Sequence, residues 1–231
     1  MLGITIGDKH SYKDFGLTIV SKNIGTPKKK KIKETVPFMN GTYDFSSIYG
    51  EQCYEERELT YKFNLISNSK IQLSMLNTLI TNWLMNNFKT ELYDDSIPGF
   101  YFMAECEEVD FDENRKDGIL TVKFNSYPFK ISTNYEGSDI WDIFNFELDY
   151  VQDTKFNVNG IKNIEIFNNS AIGVYPEVIC DSDIYVTKNN IKYKFQKGTT
   201  KDFRFKLDKG YNNLTLEGNG AVEFLFKKEV L

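Results

Sequence analysis

The sequence has a single histidine, His10, among its 231 residues. Histidine is the usual proton shuttle and the commonest metal ligand, so this scarcity excludes multi-histidine metal sites. Any Ser-His-Asp arrangement would depend on His10, which we expect to be an exposed polar residue. The glycine-rich phosphate loops, the serine-hydrolase elbow and the zinc-protease motif are also missing. The sequence therefore predicts no enzyme, no metal and no cofactor.

Cysteine is scarce as well, with Cys53, Cys106 and Cys180 in no CxxC or CxxH spacing. An odd number of distant cysteines does not suit a closed disulfide framework, so we predict free buried thiols in a reducing compartment. No apolar run reaches the length of a signal peptide or the roughly 18 residues of a membrane span. We expect a soluble protein that is made in a cytoplasm and does not insert into a membrane.

Positive charge is in deficit, since 28 Lys and Arg face 33 Asp and Glu, for a net charge of -5. This balance disfavours a dedicated nucleic-acid-binding protein, which needs a basic face to replace phosphate counterions. Aromatic residues are plentiful at 15% and favour a β-rich architecture. The length suits one large domain or two small ones.

One segment has helical periodicity. Between Ser69 and Asn86, apolar residues recur at spacings of three and four, namely Leu76, Leu79, Ile80, Trp83 and Leu84. Ser69 with Gln72 fits a capping box. Strict alternation over residues 59–65 predicts a strand before this amphipathic helix. After it, Asp117-Gly118 predicts a reversal within an antiparallel hairpin from about Val109 to Phe124.

The second half of the chain reads as short strands. They recur every eight to twelve residues from about residue 155, and Asn189-Asn190 suits a two-residue turn with positive φ. Such spacing is typical of an antiparallel β-sandwich. We place a domain boundary in the polar stretch at residues 132–142, which gives domains of residues 1–135 and 136–231.

Two neighbouring segments could mediate contacts. The lysine run at residues 28–33 is interpreted either as a solvated or edge-protecting stretch or as a patch for nucleic acid or an acidic partner. Residues 36–50 are rich in aromatics but broken by Pro37, Gly41 and Gly50. These aromatics either fold back into the core or form an arm that buries against a second subunit, because aromatic residues are enriched in interface cores. The candidate interface residues are Phe38, Tyr43, Phe45 and Tyr49.

Carboxylates cluster between Glu105 and Glu113. A pair such as Glu105 and Glu107 could imitate a hydrolase pair, and the cluster could imitate a calcium site, but the spacing of a calcium loop is absent. We interpret the cluster as solvated charge on the hairpin.

The order of these features resembles the distal tail protein (Dit) family of phages with long non-contractile tails. Residues 36–45 (VPFMNGTYDF) are similar to the family element V-P-G-R-D-G-x-Y-D-[FL], with Met39-Asn40-Gly41 as a departure. Residues 54–65 (YEERELTYKFNL) resemble its Y-x-x-R-x-[IL] strand. The amphipathic helix follows, then residues 95–102 (DSIPGFYF) and the aromatic-proline step at Tyr127-Pro128.

The resemblance implies a mainly β fold: an N-terminal β-sandwich with one helix and a protruding hairpin, and a galectin-like or carbohydrate-module-like C-terminal β-sandwich. It further implies a hexameric ring at the virion tail tip that joins the major tail tube protein to the tail-associated lysin or baseplate hub. DNA and the tape measure protein would pass through this ring without specific nucleic-acid binding.

A second hypothesis is a carbohydrate-binding module for attachment to the host cell wall. It rests on the C-terminal sandwich, where Tyr185, Tyr193 and Tyr211 are the candidate stacking residues. Packing within the protein is the alternative interpretation of these three tyrosines.

Overall fold

The computed structural model describes residues 1–46, 48, 50–114, 117–137 and 150–231. The chain forms two compact units, which are residues 1–130 with Leu231, and residues 131–230. Part of the predicted boundary segment, including Trp141, lies outside the described residues. The assignment of ring formation to residues 1–135 stays a prediction.

The first unit is an antiparallel sheet with two helices. Its strands are β1 (Ile4–Ile6), β2 (Lys9–His10), β3 (Thr18–Ile24), β4 (Lys33–Glu34), β5 (Tyr43–Asp44), β6 (Arg57–Ile66), β7 (Thr90–Asp94), β8 (Phe100–Glu113) and β9 (Asp117–Ser126). The helices are α1 (Ser11–Phe15) and α2 (Lys70–Met85). The sheet runs in the order β2-β1-β7-β8-β9-β6-β3, while β4 and β5 pair only with each other.

The core of the first unit follows from alternation along the strands. In β6 every second residue is buried, and Tyr61 and Phe63 are among the largest fully buried side chains. They lie beside Phe124 of β9, whose ring meets Tyr61 edge-on at 6.0 Å. The alternation of apolar and polar residues in the sequence therefore corresponds to the burial of one face of the sheet.

The helix predicted between Ser69 and Asn86 is confirmed as α2. The Ser69 hydroxyl accepts a hydrogen bond from the Gln72 N–H at 3.3 Å, as a capping residue should. Four side chains face the core, namely Leu73, Ile80, Trp83 and Leu84. Leu79, which the sequence pattern counted in the apolar stripe, instead points outward and is 55% exposed.

The predicted β8–β9 hairpin is confirmed, with Val109 opposite Val122. Asp117-Gly118 does not form its reversal, because both residues belong to β9 and the Asn114 N–H donates to the Asp117 carbonyl at 2.8 Å. Gly118 lies within the strand, where a Cβ would stand 2.5 Å from the Phe111 ring. Here glycine makes room for a neighbouring ring rather than forming the turn.

The second unit is built around one long strand. Its strands are β10 (Lys130–Tyr135), which begins at the boundary, β11 (Lys155–Asn168), β12 (Glu177–Cys180), β13 (Ile184–Lys188), β14 (Ile191–Phe195), β15 (Gly198–Lys201), β16 (Gly210–Leu225) and β17 (Lys227–Val230). The order is β14-β13-β16-β12-β15, with β11 also on β16, and β10 pairs with β17.

Strand β16 changes partners along its length. It pairs with β13 up to Gly218 and with β12 from Val222, while β11 follows it throughout. Gly218 sits at this exchange with a φ of 147°, and a Cβ there would lie 2.8 Å from the Ile184 side chain. The predicted turn at Asn189-Asn190 is confirmed, with φ of 50° and 64°.

The mainly β fold class is confirmed, with two antiparallel β units, a helix on the first and a hairpin that protrudes from it. The sequence missed the short helix α1. No helix among the described residues is both long and apolar enough to cross a membrane.

Candidate assembly surface

The hairpin that protrudes from the first unit is residues 25–56, here called the arm. It continues the ladder of β3 and β6, whose last pair is Ile24 with Leu59. The Gly25 N–H donates to the Glu58 carbonyl at 3.0 Å. A Cβ on Gly25 would stand 2.8 Å from that carbonyl oxygen, so only glycine allows this close approach.

Backbone hydrogen bonds hold the two sides of the arm together. The Lys30 N–H donates to the Cys53 carbonyl at 2.9 Å, and the Glu55 N–H donates to the Lys28 carbonyl at 2.8 Å. Farther out, β4 and β5 pair Lys33 with Asp44. The arm is therefore an ordered β-hairpin for much of its length.

Three of the four candidate interface residues on the arm are exposed and do not fold back into the core. Phe38 is fully exposed, Tyr43 is 53% exposed and Phe45 is 40% exposed. Tyr43 and Phe45 stack on each other with their ring centroids 6.1 Å apart. Tyr49 lies outside the described residues. The role of these four residues in a subunit interface stays a prediction.

The lysine run lies at the base of the arm, and all five of its lysines are exposed. Lys31 approaches Asp44 at 3.6 Å. Hydrogen bonds from Ser46 hold the pKa of the Asp44 carboxyl below its usual value, and Lys31 and Lys33 add to this shift.

Cys53 lies on the arm and is exposed, so the prediction of buried thiols is wrong for it, whereas Cys106 and Cys180 are buried. Cys53 escapes burial because it belongs to a protruding hairpin.

The carboxylates of β8 lie on the exposed surface of the β8–β9 hairpin. Glu105 and Glu107 are exposed on either side of the buried Cys106. Glu108 pairs with Lys123 at 2.6 Å, and Glu113 pairs with Lys70 at 3.4 Å. Among the described residues, no group of three metal-ligating side chains is arranged to hold an ion. The interpretation as solvated charge fits this placement.

His10 is buried, and the prediction of an exposed side chain is wrong. It caps α1, because its Nδ1 accepts hydrogen bonds from the N–H groups of Tyr12 and Lys13 at 3.0 and 3.1 Å. Its Nε2 therefore carries the proton and lies 2.9 Å from Asp95 Oδ2. Burial alone would raise the pKa of Asp95, but hydrogen bonds from His10 and the Gly3 N–H hold it below its ordinary value.

Ser11, beside His10, is also fully buried, and its hydroxyl accepts from the Ile4 N–H at 2.9 Å. Serine, histidine and aspartate thus lie together, but the Nδ1 lone pair is already engaged in capping. A base that activates a serine needs a free lone pair directed at an accessible hydroxyl. This cluster positions α1 and does not form a nucleophilic site.

Asp94 forms the second buried polar cluster of the first unit. Its side chain is inaccessible, and it accepts hydrogen bonds from Lys22 at 2.7 Å and from the Tyr61 hydroxyl at 2.9 Å. Burial would raise the pKa of Asp94, but these bonds and those from Ser96 hold it below its usual range. The same burial, with Asp94 adjacent, raises the pKa of Tyr61. The cluster joins β3, β6 and β7.

The second unit carries a row of aromatic rings on its outer sheet face. The Phe167 ring lies 4.7 Å from both Tyr150 and Tyr211. Tyr211 is 61% exposed, and a hydrogen bond with Tyr150 raises its pKa. Next along β11 and β16 come polar pairs, including Glu165 opposite Asn213.

The other two candidate tyrosines of the carbohydrate hypothesis are less available. Lys192 and Lys194 lie over the Tyr185 ring, 4.7 and 5.9 Å from its centroid. Tyr193 is half-buried and meets the fully buried Phe205 edge-on at 5.2 Å. Tyr211 is therefore the candidate that the structure leaves open, with Phe167 and Tyr150 as partners that sequence reasoning missed.

These features define a mainly β protein of two units that presents an aromatic arm and, among its described residues, no assembled catalytic group. No protein-family model matches the chain, and no curated protein sequence matches it. Among solved structures it is similar to the crystal structure of SPP1 Dit (gp 19.1), described as a paradigm of the hub adsorption apparatus in Gram-positive infecting phages. The similarity covers 100% of both chains with a TM-score of 0.68 at 9% sequence identity. The resemblance to a distal tail protein is thus confirmed as a shared fold.

Proposed function

We propose that this protein is a structural component of a phage tail tip. It forms a hexameric ring that joins the tail tube to the tail-associated lysin or baseplate hub and lets DNA pass. The observation that carries this proposal is the similarity to SPP1 Dit, a hub protein, from end to end in both chains. A shared fold alone does not fix function, so the surface of this chain must supply the rest of the argument.

The arm supplies the first part of that argument. It is an ordered hairpin that presents Phe38, Tyr43 and Phe45 to solvent without contact to the core. Exposed aromatic side chains close together mark a protein contact, because they bury a large apolar area at little entropic cost. A closed ring needs such a surface, since each copy must offer one face to the next copy and receive a different one.

The charge distribution supplies the second part. The net charge is -5, and β8 carries exposed carboxylates on its outer half. Negative charge around a passage would repel phosphates and let DNA slide without binding. We propose the tail tube protein, the tail lysin or hub and the tape measure protein as partners, and the virion tail tip as the location.

Electron microscopy of the full chain, alone and in tail tips, tests this proposal. We expect rings of six copies with a central hole, and mass photometry should show the same stoichiometry. Compact particles without a hole, or a chain that stays monomeric at tens of micromolar and is absent from tail tips, would contradict the proposal.

A second candidate function is glycan binding by the second unit, favoured by the row of Tyr150, Phe167 and Tyr211. Sugar rings stack on exposed aromatic faces, and neighbouring amide and carboxylate groups can bond their hydroxyls. Glu165, Asn213 and Asn163 supply such groups on the same face. A glycan array and a pulldown with host cell walls would test this function separately from assembly.

A further inference from the structure

Arg57, at the start of β6, is a buried cation without a partner. It is only 3% exposed, yet its guanidinium makes no hydrogen bond and no ion pair with any described residue. Its Nε is enclosed as well as unpaired. Folded proteins pair almost every buried charge, because the loss of hydration costs far more for an ion than for a neutral group. Arg57 therefore needs an anion that its neighbours in the fold do not supply.

The strands beside Arg57 surround it with small and aromatic side chains. Arg57 lies opposite Ser126 of β9, and Ser126 lies opposite Ala104 of β8. These two small, buried residues leave room for the arginine side chain to reach the Phe102 ring, whose centroid is 5.6 Å from the guanidinium carbon. The face of an aromatic ring attracts a cation but does not neutralise it. The contact with Phe102 thus positions Arg57 and leaves its charge uncompensated.

The carboxylates nearest to Arg57 in sequence are directed elsewhere. Glu58 alternates with Arg57 along β6 and is exposed on the opposite face of the sheet. Glu56 accepts hydrogen bonds from Lys89 at 2.8 Å and from Asn125 at 2.6 Å. The two glutamates that flank Arg57 therefore do not serve as its counter-ion.

A second cation lies close to Arg57. Lys130 follows the buried Phe129, whose ring meets Tyr54 of the arm edge-on at 5.4 Å. Burial lowers the pKa of Lys130, and the positive charge of Arg57 lowers it further. Lys130 also forms no ion pair with a described residue. Two neighbouring positive charges in a partly buried place repel each other, and an anion bound to both removes that repulsion.

We propose that Arg57 and Lys130, here called the root site, bind a small free oxyanion of the phosphate class. A guanidinium matches two oxygens of a phosphate in a bidentate geometry. Because Nε is enclosed, the oxyanion approaches the Nη atoms of Arg57. Two cations favour an anion that carries more than one negative charge, as phosphate does near pH 7. The slight exposure of Arg57 favours a small anion over a polymer.

The root site lies where the arm joins the sheet. Arg57 directly follows the last residue of the arm, and Lys130 follows the ring that packs on Tyr54. A bound oxyanion would hold the end of the arm and the start of β6 in one arrangement. The inference does not depend on the proposed ring, because both cations belong to the first unit of a single chain.

Calorimetric titration of the full chain with inorganic phosphate tests the root site. The protein is first dialysed into a buffer without oxyanions, and the ionic strength is kept constant because salt screens exposed charges. We expect one phosphate per chain, with an affinity that falls at least about tenfold in Arg57→Met and also falls in Lys130→Met. Lys62→Met is the matched control, because Lys62 is exposed on the opposite face of the same strand. Its affinity for phosphate should equal that of the parent protein.

Three outcomes of the titration would overturn the inference. The first is no binding at phosphate concentrations up to about 20 mM. The second is equal binding by the parent protein and Arg57→Met. The third is an equal loss of affinity in Arg57→Met and Lys62→Met, which would indicate general attraction of phosphate to a less acidic chain.

Urea unfolding provides an independent test. Without oxyanions, Arg57→Met should unfold at a urea concentration no lower than the parent protein does, because methionine removes an unpaired buried charge. About 20 mM phosphate should raise the midpoint of the parent protein more than that of Arg57→Met. If Arg57→Met were less stable by the same amount in both buffers, Arg57 would act only through its contact with Phe102, and the inference would be wrong.

Discussion

The exposed aromatic and apolar side chains of the two units have different chemical surroundings. In the first unit, Ile71 and Met75 are exposed on α2, whose only charged residue is Lys70, and Phe38 is fully exposed on the arm. In the second unit, Tyr211 and Phe167 lie beside amides and carboxylates on a flat sheet face. Apolar area alone suits a protein contact, whereas rings among hydrogen-bonding groups suit a hydroxylated ligand. This difference is the reason that we propose assembly for the first unit and glycan recognition for the second.

The strongest way to sharpen this comparison is to contrast a buried and an exposed phenylalanine. Phe205 is fully buried in the second unit, where its ring meets Phe195 and Phe224. Phe205→Ala should lower the free energy of unfolding by about 3–5 kcal/mol, since it removes buried area and leaves a cavity. Phe38→Ala should change it by less than about 0.5 kcal/mol and yet weaken assembly. Urea unfolding and mass photometry measure the two effects, and a large loss of stability in Phe38→Ala would break the comparison.

The next effect concerns the Asp94 cluster and its dependence on pH. The pKa of Asp94 in the folded protein lies below its unfolded value of about 3.9. The contribution of the Asp94 carboxylate to folding stability is therefore fully present above the unfolded pKa. It is lost as the pH falls through the lower folded pKa. Asp94→Asn should therefore destabilise the protein by about 2–3 kcal/mol at pH 7 and flatten the loss of stability between about pH 5 and pH 2.

Urea unfolding at a series of pH values checks this prediction. Asp8→Asn is the control, because Asp8 is exposed in the turn between β1 and β2. If the unfolding free energy of Asp94→Asn fell with decreasing pH as steeply as that of the parent protein, the Asp94 cluster would not be the source of the acid sensitivity.

A smaller effect is expected at the start of α2. Ser69→Ala removes the cap on the Gln72 N–H and should cost about 1 kcal/mol of unfolding free energy. Ser74→Ala, at an exposed position inside the same helix, should change stability by less than about 0.5 kcal/mol. Thermal unfolding followed by circular dichroism compares the two, and equal losses would argue against the capping role.

The smallest effect on stability, with a distinct effect on binding, is expected for Tyr211→Ala. Its ring is largely exposed, so the unfolding free energy should change by about 0.5 kcal/mol or less. Retention on host cell walls should fall, while Tyr43→Ala on the arm should leave it unchanged. The reverse pattern would assign the recognition surface to the first unit.

Periodicity predicted the existence of α2 but not its orientation. Apolar residues stand on both sides of this helix, so a count at spacings of three and four groups the outward Leu79 with the buried Ile80. The pattern detects a helix, but it cannot say which apolar side meets its own core when a second side is apolar too. Leu79 therefore lies on the exposed face of α2, beside the buried face that the pattern was taken to describe.

Local sequence signals predicted turns more successfully than they predicted buried polar contacts. Asn189-Asn190 fixes its own conformation, because asparagine tolerates positive φ. His10 depends on Asp95, which lies 85 residues away in sequence, and its neighbours in sequence carry no sign of that partner. The row of Tyr150, Phe167 and Tyr211 was missed for the same reason, since it forms only when distant segments meet.

In the ring that we propose, the absent side chain of Gly25 would affect the dimensions of the whole assembly. The arm begins where this residue lies against the Glu58 carbonyl, so a methyl group there would tilt the hairpin at its root. If residues 24–38 were fully extended, the tip would lie about 45 Å from the root, and a tilt of about ten degrees would displace it by about 8 Å. Such a lever would set the spacing between neighbours, and with it the width of the central opening, from a single close backbone contact.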